Sequence, residues 1–195
     1  MRRVLVIDDH EPSRQKLVNV LIESGYEIAG EGNAGKFALN LARTANPDVM
    51  LMAVGLADLD GIQAAGEILA TFRLPIVLIT SHYDASTVER ATKAGVMALL
   101  LKPVRVEAVS PAIELAISRF KDFHALEQEN ESLKEKLESR KIIEQAKGLL
   151  MNQRRLSEEQ AYSLIKKTSM NLRKPMADVA QAILLAAEID QQNNK

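Results

Sequence analysis

Short apolar runs alternate with amphipathic stretches through the first 119 residues of the chain. Five of these runs are rich in aliphatic residues and have the length of a strand. The stretches between them repeat apolar residues three and four apart, which is typical of one buried helix face. This alternation predicts parallel strands joined by crossover helices. The predicted strands span residues 4–7, 27–31, 49–52, 76–80 and 97–101. We therefore expect a doubly wound α/β domain with a five-stranded parallel sheet over residues 1–119.

A long helix is predicted after this domain. From Arg105 onward no turn signal follows Pro111 until Asn152, and Glu, Lys, Leu and Gln become frequent. A short heptad seam lies within it. The seam residues are Phe123, Leu126, Asn130, Leu133 and Leu137. A polar residue at a core position can fix the register of two parallel helices, whereas two pairs of like charges beside the seam oppose pairing. We expect a coiled-coil homodimer through a linker helix at residues 120–139. A solvated helix that packs on its own domain is the alternative.

The last part of the chain, residues 140–195, is predicted to form a small bundle of three helices. The end of the long helix supplies the first. Ser157, followed three residues later by Gln160, is a capping box for the second. Pro175 suits the first turn of the third helix, where its missing N–H costs nothing. The polar residues from 191 to 195 are expected to fray.

Charge is unevenly distributed along the chain. Residues 1–119 carry 12 Lys and Arg against 14 Asp and Glu, residues 120–139 carry 3 against 6, and residues 140–195 carry 10 against 6. The basic C-terminal part is the one suited to a polyanionic partner. The chain has no cysteine, which excludes disulfides and thiolate metal sites. No apolar run is long enough for a membrane helix, so we expect a cytoplasmic protein.

Polar side chains gather where the carboxyl ends of the predicted strands meet. Asp8 and Asp9 end the first strand, Thr80 ends the fourth, and Lys102 follows the fifth. Ligands of doubly wound sheets bind at this edge. Two carboxylates, a hydroxyl and an ammonium suit a hard cation and a phosphoryl group. In this order, these residues resemble the receiver domain of response regulators.

The resemblance implies a phosphoacceptor aspartate at position 53, where this chain has Ala53. A methyl group can neither attack a phosphoryl donor nor coordinate a cation. The loop after it departs from the receiver pattern too, and Leu99 stands where the family often has Tyr or Phe. An engineered Asp-to-Ala change would alter one residue only, so we favour a naturally degenerate site.

The remaining carboxylates, Asp8 and Asp9, lack the third partner that a receiver uses to hold Mg²⁺. We expect weak Mg²⁺ binding there, or a purely electrostatic role in which Lys102 neutralises them. No cofactor is expected. Control through dimerisation or a regulatory protein partner is then favoured over phosphorylation.

A second resemblance starts on the helix at residues 140–151, which reads Arg-Lys-Ile-Ile-Glu-Gln-Ala-Lys-Gly-Leu-Leu-Met. Gly148 costs this helix about 1 kcal/mol relative to alanine. Either tight helix packing or a ligand backbone close to the helix would offset that cost. With the segments 156–162, 167–170 and 176–180, this helix resembles the ANTAR family. That resemblance implies a transcription antiterminator that binds paired hairpins in nascent leader RNA and catalyses no reaction.

Basic residues of the C-terminal bundle are the candidates for phosphate contacts. They are Lys141, Lys147, Arg154, Arg155, Lys166, Lys167, Arg173 and Lys174. Lys147 and the Arg154–Arg155 pair are the strongest candidates, and about half of the eight are expected to touch RNA while the rest lie on an ordinary solvated face. Tyr162 is the one aromatic residue there that can stack on a loop base, although a tyrosine in such a position is more often a partly buried core residue.

Two other functions fit parts of the pattern. A basic three-helix bundle can be a DNA-binding helix-turn-helix, but the short turn with glycine that precedes a recognition helix is missing. A protein-interaction and dimerisation module is the second alternative, and it predicts no salt-dependent binding to nucleic acid. An enzyme is not expected, because the sequence offers no pairing of a nucleophile with a base and no metal-ligand set.

Overall fold

The computed structural model describes residues 1–193, and its side chains are described through residue 189. It divides into two compact units, Met1–His124 and Ala125–Lys195. The strands are β1 (Arg3–Ile7), β2 (Glu27–Gly32), β3 (Val49–Ala53), β4 (Ile76–Thr80) and β5 (Ala98–Leu101). The helices are α1 (Glu11–Glu23), α2 (Gly35–Ala45), α3 (Gly61–Thr71), α4 (Ala85–Lys93), α5 (Val106–Arg154), α6 (Glu158–Leu172) and α7 (Met176–Asn193).

The five strands form one parallel sheet in the order β2-β1-β3-β4-β5. This order confirms the predicted doubly wound fold. The chain leaves β1 toward one edge and returns to β3 on its other side, so the direction of winding reverses there. The loops after β1 and β3 therefore flank the crevice in which ligands of such sheets bind.

Each face of the sheet has its own apolar core. Leu17 and Leu21 of α1 and Ile113 of α5 pack with alternate strand residues on one face. Ala42 of α2 and Ile68 of α3 pack on the opposite face, together with α4. β3 and β4 are buried along their whole length, which is why they read as continuous apolar runs.

The second unit is a small bundle built on the end of α5. Ala146 and Leu150 of α5, Ala161 and Ile165 of α6, and Val179 of α7 form its buried core. The capping box predicted at the start of α6 is confirmed. The backbone N–H of Gln160 donates to Ser157 Oγ at 3.2 Å, and the N–H of Ser157 donates to Gln160 Oε1 at 2.9 Å.

Predicted and observed boundaries differ at the two ends of the bundle. The second compact unit begins at Ala125 and so includes most of the predicted linker, because α5 is one uninterrupted helix from Val106 to Arg154. α7 extends to Asn193, where the described backbone ends. Residues 191–193, which were predicted to fray, are helical, so that prediction is wrong for them, while residues 194 and 195 lie outside the described part of the chain.

Candidate functional sites

Asp8, at the end of β1, is buried and is held by several donors. Lys102 Nζ lies 2.6 Å from its Oδ2, and Ser13 Oγ donates to the same oxygen at 2.9 Å. The backbone N–H of His10 donates to Oδ1 at 3.0 Å. Arg14, which the sequence did not single out, donates from Nη1 to the main-chain oxygen of Asp8 at 2.7 Å. The carboxylate is therefore neutralised and hydrogen-bonded within the chain itself.

Asp9 and Thr80 form hydrogen bonds with backbone atoms of neighbouring loops. Asp9 Oδ2 accepts the backbone N–H of Ala57 at 3.0 Å, which ties the loop after β3 to the end of β1. Thr80 is buried, and its hydroxyl donates to the main-chain oxygen of His82 at 2.9 Å. The predicted residues thus lie at the same edge of the sheet, but their polar atoms bind to one another and to backbone.

Ala53 ends β3 and packs against the core on the α2–α4 face. Its methyl group supplies no oxygen to the crevice. Behind it the backbone is crowded, since a Cβ atom added at Gly61 would stand 2.1 Å from the carbonyl oxygen of Ala53. Leu99 lies beside the same core and is only partly buried.

The residues at this edge do not fit a resident Mg²⁺ ion. Such ions take carboxylate oxygens and water in near-octahedral geometry. Asp8 already faces an ammonium group, and Ala53 at the end of the neighbouring strand β3 offers only a methyl group. Among the residues that the structure describes, no three His, Asp or Glu side chains form a metal-ligand cluster.

Seven of the eight basic residues predicted to contact RNA are exposed in the second unit. Arg154 and Arg155 lie where α5 ends and the turn to α6 begins. Lys166 and Lys167 lie on α6, and Arg173 and Lys174 occupy the turn to α7, while Lys141 lies on α5. Tyr162 is 45% exposed on α6. These groups are accessible to a polyanion within one small bundle.

Lys147 differs from the other seven, and the structure does not place it as a free phosphate contact. It is 6% exposed, and its Nζ lies 2.7 Å from Glu158 Oε1 and 2.9 Å from Glu144 Oε2. The hydrogen bonds to Glu158 and Glu144 raise the pKa of Lys147, and the hydrogen bond from Lys147 lowers the pKa of Glu158. Lys147 therefore ties α5 to the first turn of α6. The sequence contains one sign of this role, the spacing of three between Glu144 and Lys147.

Gly148 faces open space. A Cβ atom built on it meets no heavy atom within 4 Å. Tight helix packing, one of the two explanations for a glycine here, is therefore wrong for the described residues of this chain. The cost of about 1 kcal/mol relative to alanine has no compensating intramolecular contact.

Two arginines of the bundle have a backbone conformation that usually favours glycine or asparagine. Arg155 has φ of +53° and Arg173 has φ of +52°. Arg173 is the C-cap of α6. Left-handed residues other than glycine carry a conformational cost and cluster at functional positions. The sequence predicted both as basic residues but did not indicate their strain.

The predicted seam residues of α5 are exposed. Phe123, Leu126, Leu133 and Leu137 are 51%, 65%, 52% and 68% exposed, and Asn130 is exposed as well. Their side chains therefore remain largely in contact with solvent. No helix within the described residues is long and apolar enough to span a bilayer.

Comparison with known proteins also divides the chain into an N-terminal and a C-terminal domain. Residues 4–114 match the model of the response regulator receiver domain, and residues 131–184 match that of the ANTAR domain. The transcriptional regulatory protein PdtaR of Mycobacterium tuberculosis is 43% identical over 183 residues, which cover 94% of this chain and 89% of that protein. The response regulator protein VraR of Staphylococcus saprophyticus is 30% identical over 125 residues, which cover 63% of this chain and 60% of VraR.

Solved structures resemble the receiver part. The signal receiver domain of a modulated diguanylate cyclase from Desulfovibrio desulfuricans G20 has a TM-score of 0.58 and 32% identity over 62% of this chain and 97% of its own. The receiver domain of the putative response regulator NarL from Mycobacterium tuberculosis has a TM-score of 0.54 and 29% identity over 62% and 96%. The chain therefore belongs to the response regulators, with an N-terminal receiver domain joined to a C-terminal ANTAR domain, and is a transcription regulator of the antitermination type.

Proposed function

We propose that this protein is an antiterminator that binds hairpins in nascent leader RNA through its second unit and catalyses no reaction. The observation that carries the proposal is a match to the ANTAR domain in a bundle where seven of the eight predicted basic residues are exposed. Bound in this way, the protein holds the leader in a form that excludes the competing terminator stem. This activity belongs in the cytoplasm, where nascent transcripts are made.

The two interhelical turns carry the phosphate contacts in this proposal. Arg154 and Arg155 lie at the start of one turn, and Arg173 and Lys174 form the other. Guanidinium groups pair with phosphate through two parallel hydrogen bonds. The left-handed backbone of Arg155 and Arg173 supports this assignment, because glycine would fit the backbone better and would lose the charge.

Gly148 supports an approach of the RNA backbone to the exposed side of α5. A glycine with open space beside it leaves room for a sugar or phosphate where a methyl group would stand. Lys147, one residue earlier, acts through its ion pairs with Glu144 and Glu158 to hold α6 against α5. We assign Lys147 a positioning role and place the direct contacts on the exposed basic residues.

Titration of a labelled two-hairpin RNA over a range of salt concentrations tests the function. We expect the affinity to fall steeply with salt, and Arg154→Ala to reduce the slope of log K against log salt by about one. Lys134→Ala, on the exposed linker part of α5, is the matched control and should leave the slope unchanged.

Two results would contradict the proposal. Duplex DNA that competes as well as the hairpin RNA would favour a DNA-binding response regulator. A protein that binds neither nucleic acid at low salt would favour an interaction module.

We further propose that the receiver is controlled without aspartyl phosphate, and that two copies pair through the seam residues of α5. The first part is supported by Ala53 and by the ion pair of Asp8 with Lys102. The second is supported by four apolar seam side chains that each expose more than half of their surface. A regulatory partner protein acting on the receiver is consistent with both parts.

A further inference from the structure

A cavity of about 580 Å³ lies on the α1–α5 face of the receiver, at the carboxyl end of the sheet. Its apolar walls come from Leu17 and Val20 of α1, Ile79 of β4, and Val104 in the segment that leads into α5. Ile79 packs on the α1–α5 face, whereas Ala53 packs on the opposite face. Ala53 is not among the lining residues, whereas Lys102 and Ser13, which both bind Asp8, are. Its volume lies in the range of sites that bind drug-sized molecules.

The charged groups of this cavity are cationic. Lys16 and Lys102 both line it, and no acidic residue is among the described residues that do. Lys16 is exposed on α1, whereas Lys102 is also paired with Asp8. His10 adds a hydrogen-bond donor. Its Nδ1 accepts the backbone N–H of Ser13 at 3.2 Å, so a neutral ring carries its proton on Nε2.

We propose that this cavity binds a small amphipathic anion, an aromatic or aliphatic body with a carboxylate or sulfonate head. The apolar walls would bury the body, and Lys16, with the Nε2–H of His10, would receive the head. A bare inorganic anion would leave the apolar walls unfilled, and an uncharged apolar compound would place no anionic group near Lys16. The proposal concerns binding to the receiver and stands independently of RNA binding.

Anilinonaphthalene sulfonate, a fluorescent aromatic anion, is the probe for this site in the full-length protein. We expect saturable binding at one site per chain. Its uncharged analogue, phenylnaphthylamine, lacks the head group, and its affinity should be lower by a factor of about ten or more. In spectra of methyl-labelled protein, the resonances of Leu17, Val20 and Ile79 should shift on binding, while that of Ile165 in the second unit should not.

Two variants separate the cavity from other surfaces. Lys16→Glu should weaken binding of the sulfonate about tenfold, because it reverses the charge that faces the head group. Lys121→Glu, the same change on an exposed position of α5 outside the cavity, should have no effect. Ser13→Phe should fill the cavity and abolish binding. It also removes a hydrogen bond to Asp8, so unchanged near-ultraviolet circular dichroism must accompany it.

Three outcomes would overturn the proposal. These are equal affinity for the sulfonate and the uncharged analogue, equal effects of Lys16→Glu and Lys121→Glu, and methyl shifts confined to residues outside the cavity. Because Lys16 and Lys121 are both exposed, this comparison decides the matter even where Ser13→Phe does not fold.

Discussion

Gly61 lies where the backbone after β3 turns into α3, and its missing side chain is a steric requirement. A Cβ atom there would meet the carbonyl oxygen and carbon of Ala53 at 2.1 and 2.9 Å. The N–H of Gly61 also donates to the oxygen of Val54 at 2.7 Å, so the backbone has little freedom to withdraw. Backbone atoms cannot swing aside as the end of a flexible side chain can.

We expect Gly61→Ala to lower the free energy of unfolding of the receiver by about 3 kcal/mol. Urea denaturation followed through the Ile79 methyl resonance measures this loss. Gly55→Ala, in the same loop with nothing within 4 Å of its added Cβ, should leave stability unchanged or raise it by up to about 1 kcal/mol. Equal stability of both variants would show that the turn adapts.

The ion pairs of Lys147 give the bundle a dependence on pH. The hydrogen bond from Lys147 lowers the pKa of Glu158 from its ordinary value near 4.5. The stabilisation by Glu158 is therefore fully present above that pH and is lost as the pH falls through the lowered pKa. The hydrogen bonds to Glu158 and Glu144 raise the pKa of Lys147 above 10.5, so its contribution is present below that value and is lost as the pH rises through the raised pKa.

We expect the melting temperature of the Glu158→Gln variant to fall less between neutral and acid pH than that of the wild-type protein. The Ile165 methyl resonance, from the core of the bundle, reports this transition. Glu159→Gln, the next residue in the same exposed turn, is the control and should retain the full dependence. If the two variants follow the same curve, the pair does not contribute to folding.

At the scale of single elements, α5 carries a stripe of large apolar side chains that the described residues of the chain leave more than half exposed. Leu133 is 52% exposed in the middle of this stripe. We expect Leu133→Lys to convert a dimer into a monomer, because it places a charge at a core position of the seam. Gln128→Lys introduces the same charge on the opposite side of the heptad and should preserve the dimer. Sedimentation equilibrium measures the oligomeric state of each variant. A wild-type protein that sediments as a monomer would refute the proposed pairing.

At the scale of the whole molecule, the sequence predicted the fold more completely than the roles of single residues. The five strands followed from short apolar runs that alternate with stretches of helical periodicity, and the long helix followed from the absence of turn signals after Pro111. The capping box at Ser157 and Gln160 was equally visible, since it depends on residues three apart.

Contacts between distant segments could not be read in the same way. Lys147 was predicted as an RNA contact because the sequence does not show that Glu158, eleven residues later, folds back onto it. The cavity beside Lys16 arises where α1 meets the segment after β5, far apart in the chain. Burial and partners at such positions are properties of packing, and local propensity does not encode them.

Acetyl phosphate, a small phosphoryl donor, tests whether the receiver can be phosphorylated. With Ala53 at the end of β3, incubation with acetyl phosphate and Mg²⁺ should leave the intact mass of the protein unchanged. A receiver that carries the acceptor aspartate, treated in parallel, shows that the donor is active. A stable phosphoryl adduct on this chain would contradict control without aspartyl phosphate.

The ion pair between Asp8 and Lys102, together with Ala53, bears on how long the regulatory response lasts. A phosphorylated switch stores its stimulus in a covalent bond, and the response lasts until that bond is hydrolysed. Under control without aspartyl phosphate, this protein forms no such covalent bond. Its output would follow the present concentration of whatever occupies the receiver and would end as fast as that occupant dissociates.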